Sequence, residues 1–213
     1  MLRGKRLPKY REGKVSSTVQ PMESILPMAQ AQSGAAQSKS AVQKEYEEGK
    51  RLLENGDYGQ AALSLHNALV GFEQKKDENG IANACNQLGH LCTEKGDYQT
   101  ALQHYQRAFT ICDAANDRMS VLAVLVRRLE VYVRMEEYDK AVADCLAMLD
   151  LYQDNRDPQG TVGALERLAE VYLAAGARQK AADTYRTIAG IHKNYRHDAI
   201  AASFLEKADA LAG

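Results

Sequence analysis

Between residues 42 and 212 apolar side chains recur at the three-and-four spacing of amphipathic helices, and no run alternates strictly enough to predict a strand. The helical pattern is interrupted at regular intervals. Segments suited to turns read NGDY at 55–58, KGDY at 95–98, MEEY at 135–138 and AGAR at 175–178, each 40 residues after the last without a gap. Further breaks fall near 77–79, 116–119, 156–158 and 196–198, so nine helices are predicted over 42–212.

A period of this length is the mark of a stacked repeat. Small residues hold fixed places within it: Ala61, Ala101, Ala141 and Ala181 early in the second helix of each unit, and Gly49, Gly89 and Ala169 midway along the first, with Leu129 in the third unit. Antiparallel helices joined by a short turn approach closely only where facing side chains are small. Asp77, Asp117 and Asp157 close successive units, where each can cap the next helix, and Pro158 suits a first helical position.

The stretch from Leu88-Gly89 through GDYQTALQHYQRA at 96–108 resembles a tetratricopeptide repeat, with Leu88, Gly89, Tyr98, Ala101, Tyr105 and Ala108 at the family's positions. The 40-residue period is similar to that of the family's longer-helix subclass. The third unit departs from the pattern, with Arg128 where Leu88 and Leu168 stand and Leu129 in place of the small residue. The resemblance implies an all-α, right-handed α-solenoid of four helix pairs plus a C-terminal capping helix. Its repeats would span about 42–80, 81–120, 121–160 and 161–198. In the capping helix, 199–212, Ile200, Phe204, Leu205, Ala208 and Leu211 are expected to share the inward face.

The same resemblance implies that the first helices of the repeats line a concave groove that binds a partner peptide or helix. The groove residues expected on that basis are Tyr46, Lys50, Asn83, Asn86, His90, Val126, Arg127, Glu130, Glu166, Arg167 and Glu170. The early part offers amides, a phenol and an imidazole to a peptide backbone, and the later part pairs acids with apolar side chains. The family's dicarboxylate-gripping version is not expected, because Tyr46 and Ala123 stand where it needs cations.

Composition adds an N-terminal arm. Residues 1–41 open with Arg3, Lys5, Arg6, Lys9, Arg11 and Lys14 against Glu12, whereas the whole chain has a net charge of −1, so the repeats are acidic. Residues 15–41 are rich in Ser, Gln, Ala and Thr and read as a flexible linker. One apolar island, Met22, Ile25, Leu26 and Met28, interrupts it and is a candidate docking segment for the chain's own solenoid or a neighbour's.

Catalytic chemistry finds no support. Cys85, Cys92, Cys112 and Cys145 form no CxxC pair and read as small hydrophobes, and His66, His90, His104, His192 and His197 are scattered over the helices, so neither a metal nor a cofactor is expected. No signal peptide or membrane span is apparent, which makes the cytoplasm the expected compartment. The expected function is that of a non-enzymatic protein-interaction scaffold, adaptor or assembly factor. Self-assembly and peptide or ligand sensing for a partner are the alternatives. The arm could touch an anionic membrane surface, but the single aromatic among its cations, Tyr10, is too little to favour nucleic acid.

Overall fold

The computed structural model describes residues 40–212, and the basic arm with its island Met22, Ile25, Leu26 and Met28 lies outside the described residues. Nine helices and no strands occur among the described residues. They are α1 (Ala41–Glu54), α2 (Tyr58–Lys75), α3 (Glu78–Glu94), α4 (Tyr98–Ala114), α5 (Arg118–Arg134), α6 (Tyr138–Asp154), α7 (Pro158–Ala174), α8 (Arg178–Asn194) and α9 (Asp198–Ala212). Each packs against its neighbours in sequence, and the odd-numbered helices α1, α3 and α5 also touch in succession. The result is an all-α solenoid of four helix pairs closed by α9.

The turns have a tighter regularity than the 40-residue period. Eight residues spaced 20 apart occupy the left-handed region: Gly56, Gly96 and Gly176, and the non-glycines Lys76, Asn116, Glu136, Arg156 and Arg196. At every turn the N–H of the following residue donates to a carbonyl five positions back, from Asp57 to Leu52 through His197 to His192, at 2.8–3.0 Å. These are Schellman closures, which satisfy carbonyls that a helix end would otherwise orphan. The residue that completes each closure also starts the next helix, so one position serves both ends. Asp77, Asp97, Asp117 and Asp157 there accept from the backbone N–H three residues on, at 2.9, 3.2, 3.1 and 2.9 Å. Asp57, Glu137 and Ala177 make no side-chain cap.

Within each pair the expected small residues sit at the crossing: Ala61, Ala101, Ala141 and Ala181 are all fully buried. Opposite them, size is traded across a second pair of positions. A Cβ on Gly89 would lie 2.6 Å from the Tyr105 ring, and one on Gly49 would lie 2.7 Å from Leu65 Cγ. The third pair places the larger Leu129 in the glycine position and the smaller Cys145 in the tyrosine position, both buried in one core cluster. Interiors are packed densely enough that such exchanges must compensate.

Arg128 fills the third repeat's leucine position without leaving an orphan charge. Its Nε and Nη2 donate to Asp144 at 2.8 and 2.5 Å, Nη1 donates to Gln106 Oε1 at 3.0 Å, and the guanidinium lies 5.0 Å from the Phe109 ring centroid. Asp144 is 4% exposed, so this bidentate pair is internal to the solenoid.

The capping helix differs from the expectation in one respect. Ala201, Phe204 and Ala208 face inward, with Leu211 half-buried, while Ile200 and Leu205 are 46% and 45% exposed. Residues 201, 204, 208 and 211 follow the three-and-four rise of one helical stripe, and 200 and 205 fall on its flanks.

Candidate interaction groove

The first helices of the second, third and fourth pairs are α3, α5 and α7. Between α5 and α7 lies a depression of about 370 Å³ lined by Val126, Leu129, Val133 and Val171, with Glu130, Arg134, Arg167 and Glu170 at its rim. Of the residues named from the repeat pattern, Val126, Glu130, Arg167 and Glu170 line it together, and Arg134 joins them without having been singled out. Its place on the rim follows from standing one turn after Glu130 on the same helix.

The rim charges on α5 hold one another. Arg134 donates to Glu130 at 2.6 Å, and Arg127 Nη1 lies 3.9 Å from the second Glu130 oxygen. Burial works against the Arg134 charge, but its hydrogen bonds with Glu130 and Tyr98 raise its pKa overall. On α7 the exposed Arg167 and Glu170 have no ion-pair partner among the described residues.

Toward α3, His90 is half-buried with Nε2 3.8 Å from Glu94. Desolvation first, and then the Arg127 charge, lower its pKa, so it presents a neutral ring to the groove near pH 7. Asn83 is exposed, and Asn86 Oδ1 is shut from solvent with no hydrogen-bond partner among the described residues. Two neighbours on this face turn out to belong to the core. Thr93 is 2% exposed and bonds Gly89 O at 2.9 Å, with Tyr105 Oη 3.4 Å away, and Leu53 is buried.

On α1, Tyr46 packs edge-on against Phe72 at 6.1 Å, and Lys50 Nζ lies 5.9 Å from the Tyr46 ring centroid. Burial raises the Tyr46 pKa against a hydrogen bond with Gln87, which marks the phenol as packed into the α1–α3 junction. The thiols are equally inert: burial pushes Cys85 up to about 11 and Cys145 up to about 12. No helix among the described residues is long and apolar enough to cross a membrane.

Paired antiparallel helices with small crossing residues, a 40-residue period and a lined inner face define a helical-repeat solenoid of the tetratricopeptide type. Residues 84–119 match the family model described as tetratricopeptide repeat. With that match, the chain carries a tetratricopeptide repeat at 84–119 within a solenoid of the same type. It is 27% identical over 139 residues to the Arabidopsis thaliana protein kinesin light chain-related 2, covering 62% of this chain. The chain spans 19% of the length of that relative. Among solved structures, the apo form of RapI superposes with a TM-score of 0.68 at 12% identity, over 86% of this chain and 52% of RapI. A Podosopora anserina protein of nearly identical TPR-like repeats gives 0.60 at 15% identity, over 80% and 94%. A Rap protein complexed with competence and sporulation factor gives 0.54 at 21%, over 80% and 52%.

Proposed function

We propose that the chain is a non-catalytic interaction scaffold that seats a peptide or helix of a partner protein along α3, α5 and α7. The observation that carries this reading is the depression between α5 and α7, where four apolar side chains form a floor beneath two cations and two carboxylates. An apolar floor with a charged rim suits an amphipathic segment, whose apolar residues are desolvated while its charges meet Arg167 and Glu170. Such a surface is preorganised, so ordering costs fall on the partner. A Rap protein of similar fold in complex with competence and sporulation factor supports the idea that this architecture can hold a ligand.

The test is selection of binders from a displayed peptide library on the full-length protein, followed by affinity measurements on groove variants. Val133→Asp and Arg167→Glu are each expected to weaken selected peptides by about tenfold or more, as loss of an anchor does. Peptides that bind both variants as tightly as the parent protein would refute the groove reading.

A further inference from the structure

The second helices of the four pairs are α2, α4, α6 and α8, and the intervals between them are filled unequally. Arg107 of α4 crosses to Glu73 of α2 at 2.6 Å. Between α4 and α6 stands Arg128 of α5, which donates to Gln106 on one side and Asp144 on the other. In the next interval Leu146, Leu168 and Thr184 hold the places of Gln106, Arg128 and Asp144. Thr184 donates its hydroxyl to Lys180 O, and Asp183 accepts from Gln179 and Arg186, so both are satisfied within α8. What is left between α6 and α8 is a depression of about 490 Å³. Leu149, Leu165 and Leu168 at its base are buried, and Leu146 at its mouth is 48% exposed.

The α6 side of this mouth is acidic. Asp139 and Asp150 stand seven residues before and four after Leu146, on the same stripe of the helix. Both are exposed, and neither has a hydrogen-bond or ion-pair partner among the described residues. The matching positions are Gly59 and Val70 on α2, Gln99 and Thr110 on α4, and Gln179 and Gly190 on α8, so the flanking acids belong to α6 alone. The cation that lines the depression, Lys180, is drawn over the Tyr172 ring at 5.5 Å from its centroid.

We propose that the α6–α8 depression is a second docking site, for a basic amphipathic helix of a partner protein. An apolar side chain of that helix, such as leucine or methionine, fills the space beside Leu146. Lysines or arginines one and two turns from this anchor meet Asp150 and Asp139. The anchor is apolar because the leucine base has no group to pair with a buried charge, whereas Arg128 in the preceding interval has Asp144 and Gln106. The flanks are basic because unpaired carboxylates attract cations and turn away an acidic helix. A channel between two helices takes a third helix by its apolar face, with anchors at three-and-four spacing. This site shares no lining residue with the α5–α7 depression, so it stands whether or not the groove reading holds.

Fluorescence anisotropy of two labelled helical peptides against the full-length protein tests it. One peptide is built of leucine and lysine, the other of leucine and glutamate in the same amphipathic order. The leucine–lysine peptide is expected to bind one to one and the leucine–glutamate peptide not to bind. Leu146→Gln should weaken binding by about tenfold or more, as loss of an anchor does. Asp150→Lys should weaken it by about threefold and flatten its dependence on salt. Both positions are exposed, so neither change disturbs the core. The groove variants Val133→Asp and Arg167→Glu should leave this binding unchanged. Equal binding of the two peptides, no binding of the basic one, or full affinity in Leu146→Gln would overturn the proposal. So would binding lost in the groove variants, or a peptide-free dimer in light scattering that Leu146→Gln dissolves, which would give the surface to a second copy.

Discussion

The α3–α4 and α5–α6 pairs have the same length and the same turn spacing, and they solve the same packing problem with opposite choices. In α3–α4 a glycine admits a buried tyrosine, a leucine precedes it, and a glycine makes the turn: Gly89, Tyr105, Leu88 and Gly96. In α5–α6 the corresponding residues are Leu129, Cys145, Arg128 and Glu136. The fold survives because each change is met by another. Leu129 gains the space that Cys145 gives up, and Arg128 gains Asp144. The lesson is that the repeat constrains summed volume and paired charge at a crossing rather than residue identity.

The largest expected effect comes from breaking the charge compensation. Asp144→Ala leaves a guanidinium that is 13% exposed without its carboxylate, and should cost about 3–5 kcal/mol in urea unfolding. Transplanting the fourth pair's residues, Leu168 and Thr184, as Arg128→Leu with Asp144→Thr should instead come within about 1 kcal/mol of the parent or exceed it, because apolar replacement of a buried ion pair is often neutral or stabilising. If both variants lose the same stability, Arg128 is held by packing alone and the comparison fails.

Volume compensation is tested next. Gly89→Leu drives a side chain into the Tyr105 ring, which a Cβ alone would approach to 2.6 Å, and should cost roughly 3 kcal/mol. Adding Tyr105→Cys recreates the Leu129–Cys145 combination and should return a large share of that loss. Independent, additive losses in the double variant would show that the two positions do not trade volume.

The period, the crossing alanines and the aspartate caps at 77, 117 and 157 were legible in the residues, because each depends on local chemistry repeated at one spacing. The 20-residue rhythm of the turns was not. Lys76, Asn116, Arg156 and Arg196 share the glycines' backbone conformation without sharing their side chains. Arg128–Asp144 was hidden because its partners lie 16 residues apart on different helices. Most of the groove lining could be named beforehand, as the α5 and α7 faces follow from helical periodicity. Arg134, Leu129 and Val171 needed the packing of one helix against the other.

The smallest effect concerns the turns of the two pairs. Glu136 is exposed and sits at φ 59°, where a side chain meets its own backbone, while Gly96 occupies the same place at φ 77° without that conflict. Glu136→Gly removes the conflict but loosens the unfolded chain, and the two effects oppose each other. The steric relief is the larger, because the turn is fixed by the bonds from Glu136 N–H to Val133 O at 3.1 Å and from Glu137 N–H to Tyr132 O at 2.9 Å. A net gain of about 0.5–1 kcal/mol is therefore expected in the denaturant midpoint at unchanged slope. The reciprocal Gly96→Glu should cost about 1 kcal/mol, since nothing within 4 Å of its Cβ would clash and only the backbone conformation penalises it. Equal and opposite shifts would place the whole difference between the two turns in that one dihedral. A loss of stability in Glu136→Gly would mean instead that the third turn draws on its glutamate side chain.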